Sequence, residues 1–205
     1  MLLLLVILVA GLAAPSSAEA RELLQVPITV HVATKAGRSV VNEQQVLASV
    51  KRANAELAAF DIELVVAQIV PMRGGSQLET QDQRFDLGRR AAPDGTIHVF
   101  YVERVKLHNP RKGDRRVSGM HWRYHGLERD IRGREYVAVA HNAPTTTLVH
   151  EVGHAFGLTH DKKKNNLMCS CRRGLDSAFT RHQGRRLRFG AKRFLRREAR
   201  RANRR

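Results

Sequence analysis

The sequence predicts an α+β fold built around a parallel β-sheet crossover, and three observations carry that prediction. Residues 26–70 read as strand, capped amphipathic helix and strand, the spacing of a right-handed parallel crossover unit. Residues 95–105 are apolar on both faces, as a central, doubly covered strand should be. Residues 135–143 form a last apolar stretch that feeds Pro144 and a helix bearing two histidines four residues apart.

Taken in order, residues 1–14 are almost wholly apolar and are followed by Pro-Ser-Ser-Ala-Glu-Ala. An apolar run too short to span a bilayer, ending in the A-x-A pattern Ala18-Glu19-Ala20, reads as a secretory signal peptide cleaved near Ala20. No Lys or Arg precedes the run, which leaves a mis-assigned start or an uncleaved anchor as alternatives. Val26, Ile28, Val30 and Val32 then alternate along a strand at 26–34. Asn42, with Gln45 three residues later, makes a capping box for a helix reaching Phe60. Val46, Val50, Ala53, Leu57 and Phe60 repeat at helical spacing on its buried side. The second strand occupies 61–70 and ends at Pro71, and the polar residues 71–95 are expected to form a long surface loop.

Inside the stretch 95–105, His98 reads as a histidine satisfied within the sheet rather than a metal ligand. Residues 106–116 are expected to be a basic loop, and 117–126 a short strand with the single tryptophan, Trp122. Near the C-terminus, Thr180 with Gln183 would cap a final helix. Leu187, Ala191, Phe194 and Leu195 give that helix a docking face, and the residues past Arg196 are expected to fray.

The chemistry concentrates in residues 150–161, His-Glu-Val-Gly-His-Ala-Phe-Gly-Leu-Thr-His-Asp. His150 and His154 project from one helix face a turn apart, so both imidazoles can meet one ion. Glu151 beside them is placed to work on a water held by that ion. Gly157 can end the helix in the left-handed conformation that other residues resist. The chain then turns back and His160 arrives as a third nitrogen. Three histidines with an open position suit catalytic zinc, whereas structural zinc is usually closed by four protein ligands, often including cysteine. A surface helix with incidental histidines and a glycine cap is the plainer reading. The glycine and third histidine at fixed spacing, with Met168 eight residues beyond His160, weigh against it.

On His150, Glu151, His154, Gly157, His160 and a Met-turn at Met168, the chain resembles the metzincin clan of zinc peptidases. By motif the resemblance covers residues 144–170, and by element order most of the chain. It implies a twisted, mostly parallel five-stranded sheet with one antiparallel edge strand that pairs with extended substrate, and residues 117–124 are the candidate edge. It also implies two long helices and a small C-terminal subdomain with one helix. The organisation expected is a signal peptide at 1–20, an upper catalytic subdomain at 21–157 ending in the zinc helix, a lower subdomain at 158–196, and a basic tail at 197–205. Met168 would lie beneath the metal as an apolar floor rather than bind it, and Asp161 would orient local backbone. No tyrosine follows Met168 closely, so the fifth-ligand tyrosine of the astacin and serralysin branches is missing, which points to a matrixin-like or unassigned bacterial-type branch.

The formal charge is +17, and twelve Lys or Arg against one acid, Glu198, fall between Arg181 and Arg205. A solvated basic tail is the first reading of that run, an anionic surface the second and nucleic acid the last. Only Cys169 and Cys171 are present, too close to staple distant parts of the chain. They read as free or locally bridged thiols, with an intermolecular disulfide or an auxiliary zinc thiolate as alternatives. Little chain separates Ala20 from the first strand, so no sizeable propeptide is expected. The function these features predict is that of a secreted or periplasmic, monomeric zinc metalloendopeptidase acting on peptides or proteins. In it a zinc-bound water attacks the peptide carbonyl with Glu151 as general base. The alternative is an exported basic binding protein that keeps a zinc site without useful catalysis.

Overall fold

The computed structural model describes residues 21–109, 113–171 and 177–203. The signal peptide expected at 1–20 therefore lies outside the described residues, as do the last two residues of the basic tail. Strand β1 (Leu24–Lys35) and the two-residue β2 (Arg38–Ser39) form a hairpin, and helix α1 (Glu43–Leu57) follows. Asn42 caps α1: its side chain accepts the Gln45 N–H at 2.9 Å while the Asn42 N–H donates to the Gln45 amide oxygen at 2.8 Å. A 3-10 turn, Ala58–Phe60, ends that helix, and the chain enters β3 (Ile62–Met72) through Asp61, whose φ is 52°.

β3 lies parallel to β1, so strand, helix and strand form the crossover expected. Pro71 does not end the strand; it pairs opposite Val32. Among the described residues β3 has no other strand partner, and a proline without an N–H is tolerated on such an edge. Asn54 of α1 braces it, donating to the Leu64 carbonyl at 3.0 Å and accepting the Leu64 N–H at 2.8 Å.

Residues 71–95 are not one loop. They hold β4 (Gln77–Leu78) and α2 (Gln81–Arg90), the latter opened by a second capping box in which Thr80 accepts from the Gln83 N–H at 3.3 Å. The apolar stretch at 95–105 breaks at Glu103 into β5 (Ile97–Val102), buried at every position, and β6 (Arg104–Asn109). The expected basic loop at 106–116 is mostly an antiparallel hairpin of β6 with β7 (Gly113–Val117). β8 (Gly119–Arg123) and β9 (Glu135–Ala140) complete the strands, and α3 (Thr146–Ala155) and α4 (Arg181–Ala202) complete the helices.

The main sheet has six strands rather than five: β2 and β3 both pair with β1, and the order then runs β5, β9, β8. It is mostly parallel, with β8 antiparallel to β9 at one edge. A second sheet of β4, β6 and β7 was not foreseen. Among the described residues there are four α-helices, and α4 continues to Ala202 instead of fraying after Arg196. Its last turns are held because Glu198, buried amid arginines, accepts from Arg197 and Arg201 at 2.9 Å each.

Both faces of the sheet are covered. On one face Val46, Val50, Ala53 and Leu57 of α1 join Leu148 and Val152 of α3 and Leu187 and Phe194 of α4. On the other face Leu87 of α2 and its C-cap residue Ala91 pack with Phe100, Tyr136 and Trp122. Burial of each larger aliphatic side chain contributes about 1.5–3 kcal/mol relative to exposure. Arg188 ties α4 to the sheet's start, donating to the carbonyls of Phe60 (2.8 Å), Asp61 (3.1 Å) and Glu22 (3.0 Å).

Candidate metal centre

Helix α3 is apolar on the side that meets the sheet, so its histidines are carried to the edge of the cleft by packing and not by propensity. His150 is buried, His154 half-buried and His160 exposed, and one nitrogen from each lies within 4.8 Å of the others. His160 reaches that point because Gly157 takes φ +91° just after the helix and reverses the chain, as its position in the motif predicts. The rings of His150 and His160 stack with centroids 5.4 Å apart, and His154 meets both edge-on.

The outer nitrogens define the chemistry. His150 Nδ1 lies 2.6 Å from the Leu167 carbonyl, and His154 Nδ1 lies 2.9 Å from the Leu158 carbonyl. A carbonyl can only accept, so both Nδ1 atoms carry the proton and both Nε2 atoms present lone pairs. His154 Nε2, left as an acceptor, stands 3.1 Å from His160 Nε2, close enough for both to reach one ion. Burial lowers the His154 pKa and the positive charge that His160 and His121 would carry lowers it further, against the opposing pull of the Leu158 carbonyl. The neutral imidazole, which is the ligand form, is favoured. His150, His154 and His160 thus form a group able to bind zinc.

Glu151, 5% exposed, lines the same cleft, whose volume is about 990 Å³. Gly119 on β8 lets strand and helix approach: a Cβ there would stand 3.0 Å from Glu151 Cγ and 2.7 Å from Thr147 Cγ2. Gly153 does the same below, where an added Cβ would meet Met168 Sδ at 2.7 Å. Met168 is fully buried and packs against α3 between the two helical histidines. Its turn is fixed by Asn166, whose side chain accepts the Met168 N–H at 2.8 Å. Asn166 and Gln183 exchange amide hydrogen bonds at 2.9 and 3.1 Å, linking that turn to the start of α4. Asp161 accepts the Lys163 N–H at 2.8 Å, an ordering of local backbone. Cys169 and Cys171 are disulfide-bonded to each other at the cleft edge, the locally bridged option.

The course of the chain can be compared with solved structures. It superimposes on mature mirolysin of Tannerella forsythia, in complex with a cleaved peptide, with a TM-score of 0.56 and 11% identity, covering 85% of this chain and 96% of that one. It superimposes on archaemetzincin of Methanopyrus kandleri with a TM-score of 0.54 and 16% identity, covering 84% and 99%. The fold is a metallopeptidase fold. A third likeness, to metalloproteinase-II of Bacteroides fragilis, has a TM-score of 0.54 and 14% identity over 84% of this chain. This chain spans only 55% of that protein. No family model and no curated protein sequence matches.

Within this metallopeptidase fold, His98 is a sheet histidine, 3% exposed and 2.6 Å from the Ala92 carbonyl. Sequence reasoning passed over His121. It lines the cleft from β8 and its Nε2 lies 2.8 Å from Glu135, which also pairs with Arg197 of α4 at 3.2 Å. Gly119 and Gly153 also escaped notice, since nothing local marks a glycine chosen for a close approach.

Proposed function

We propose that the protein is an exported, zinc-dependent metalloendopeptidase of the metzincin type. The observation that carries this reading is the convergence of three inward-facing imidazole nitrogens beside the buried Glu151 carboxylate in an open cleft. His150, His154 and His160 would hold the ion, which when bound supplies Lewis acidity to the scissile carbonyl and makes water acidic enough to attack near neutral pH. Glu151 takes a proton from the attacking water and passes it to the leaving amine. The outer edge of β8 receives an extended peptide through main-chain hydrogen bonds. Met168 supplies an apolar floor. Residues 21–157 and 158–196 act as upper and lower subdomains with the substrate between them, and the pattern at 1–20 directs export.

Purified protein should contain about one zinc per chain, and chelation should abolish cleavage of a denatured protein substrate. Glu151→Ala should keep the zinc and lose turnover by about 10²–10⁴-fold. Full activity in that variant removes Glu151 from the mechanism.

A second reading concerns α4. Its outer face presents Arg185, Arg186, Arg193 and Arg196 around Phe189, which is 69% exposed. Arginines surrounding an exposed aromatic suit an anionic surface. Among the described residues no helix is long and apolar enough to cross a membrane. Salt-sensitive binding to anionic polymer, with no hydrolysis of any peptide in a library, would favour the exported binding protein over the enzyme.

A further inference from the structure

The cleft carries positive charge that the metal centre does not use. Arg52 of α1 and Arg115 and Arg116 of β7 line the same cleft as the three histidines. Glu151 is the single carboxylate among its described lining residues. Asp114, beside the two β7 arginines, is already engaged by Lys106 and His108 at 2.7 Å each. Arg115 and Arg116 are exposed and form no ion pair among the described residues. Arg52 holds Glu56 through Nη2 at 2.6 Å, while its buried Nε has no hydrogen-bond partner. The first turn of α3, which no side chain caps, lines the cleft as well and adds its positive dipole end.

The strand register says where this charge stands relative to the reacting bond. Gly119, at the start of β8, is the strand position pressed against Glu151. Arg116 and Arg115 precede it by three and four residues, at most about 10–13 Å of chain, with a bend at Ser118 between β7 and β8. A peptide added antiparallel to β8 runs the opposite way, so its residues on the C-terminal side of the scissile bond pass β7.

We propose that Arg52, Arg115 and Arg116 form a carboxylate-binding subsite that selects peptides bearing a negative charge up to four residues C-terminal to the cleaved bond. This rests on the peptidase reading above. The carboxylate is either an Asp or Glu side chain or the free C-terminus of a short peptide. Planar guanidinium groups suit both, because they meet a carboxylate with paired N–H donors. Charge complementarity at an open cleft raises the rate of encounter as well as affinity.

The test uses the full zinc-loaded protein and labelled peptides that differ only in Glu or Lys at those positions, each with a free or an amidated C-terminus. Binding is read by fluorescence anisotropy on Glu151→Gln, and cleavage by kcat/KM on the wild type. The Glu peptide should bind and be cleaved about tenfold better than the Lys peptide, and about 0.5 M salt should shrink that ratio. R115E/R116E should invert the ratio, and R115Q/R116Q should bring it near one; circular dichroism and zinc content identify the variants that fold. Loss on amidation alone assigns the subsite to the terminal carboxylate, and indifference to amidation assigns it to side chains. A ratio near one in the wild type, or a ratio that none of the arginine substitutions moves, overturns the proposal. Charge-dependent binding without cleavage of any peptide would leave the subsite standing and sink the peptidase reading. Cleavage without charge preference would do the reverse.

Discussion

Two groups of histidines lie in this molecule, at nearly the same spacing, and they differ in where their nitrogens point. In the sheet, His31 and His98 stand 2.9 Å apart, nitrogen to nitrogen, and His31 stacks on Phe100 with centroids 4.4 Å apart. His98 Nε2–H donates to the Ala92 carbonyl, so its Nδ1 accepts from His31 and the pair satisfies itself. In the cleft, His154 and His160 are 3.1 Å apart, but the protons of His150 and His154 are turned outward to the Leu167 and Leu158 carbonyls. With His160, they offer one nitrogen each within 4.8 Å of one another. Closeness of imidazoles does not by itself mark a metal site; the direction in which the ring protons point does.

Removing one histidine from each group separates the two most clearly. His154→Ala should drop zinc from about one per chain to near zero and reduce cleavage by about 10³-fold or more. His98→Ala should keep its zinc and cost about 1–3 kcal/mol of stability through a buried, unsatisfied neighbour. Elemental analysis and denaturant melts read both. Zinc loss in the sheet variant, or zinc retention in the cleft variant, would erase the distinction.

The next effect is smaller and tests the floor beneath the cleft group. Gly153→Ala should destabilise the protein by about 1–3 kcal/mol, since the new Cβ pushes on Met168 against a close-packed helix. Zinc affinity should weaken with it, because His150 and His154 flank that position. A variant with unchanged melting and unchanged zinc affinity would show that Met168 yields freely.

The smallest effect separates the groups by pH. Burial, and then the proximity of His98, pushes the His31 pKa from 6.5 down to about 4. The unfolded chain therefore takes up this proton first as pH falls. Stability from His31 is complete above about pH 6.5, declines toward pH 4, and is flat below it. Allowing for the ring's partial exposure, the decline is on the order of 1–2 kcal/mol. His31→Phe should remove that part of the slope in pH-dependent melts, whereas an unchanged slope would assign it to other groups.

How much of this was legible beforehand varied with the range of the forces involved. The three capping boxes illustrate it. Asn42/Gln45 and Thr180/Gln183 were read because apolar positions at helical spacing follow each. Thr80/Gln83 was missed, although the same chemistry is present, because α2 buries only Leu87 and Gly88 and shows no apolar stripe. Pro71 was read as a strand end because a proline cannot donate, but β3 lies at an edge where no donor is required. The hairpin of β6 and β7 reads as a loop because most of its residues are charged or polar, and contacts such as the diagonal pair of Lys106 with Asp114 become visible only once the strands meet.

What the sequence carries is local: the strand and helix patterns of the crossover unit, the caps at Asn42 and Thr180, the residue types at 150–160 and the turn at Gly157, each set by spacing within a few residues. The tertiary structure alone decided the tautomers of His150 and His154, the glycines that bring β8 and Met168 against α3, the second sheet, and the gathering of Arg52 with Arg115 and Arg116 around one cleft. Those depend on atoms distant in sequence brought within contact range, where sterics and hydrogen-bond direction act and residue spacing carries no information.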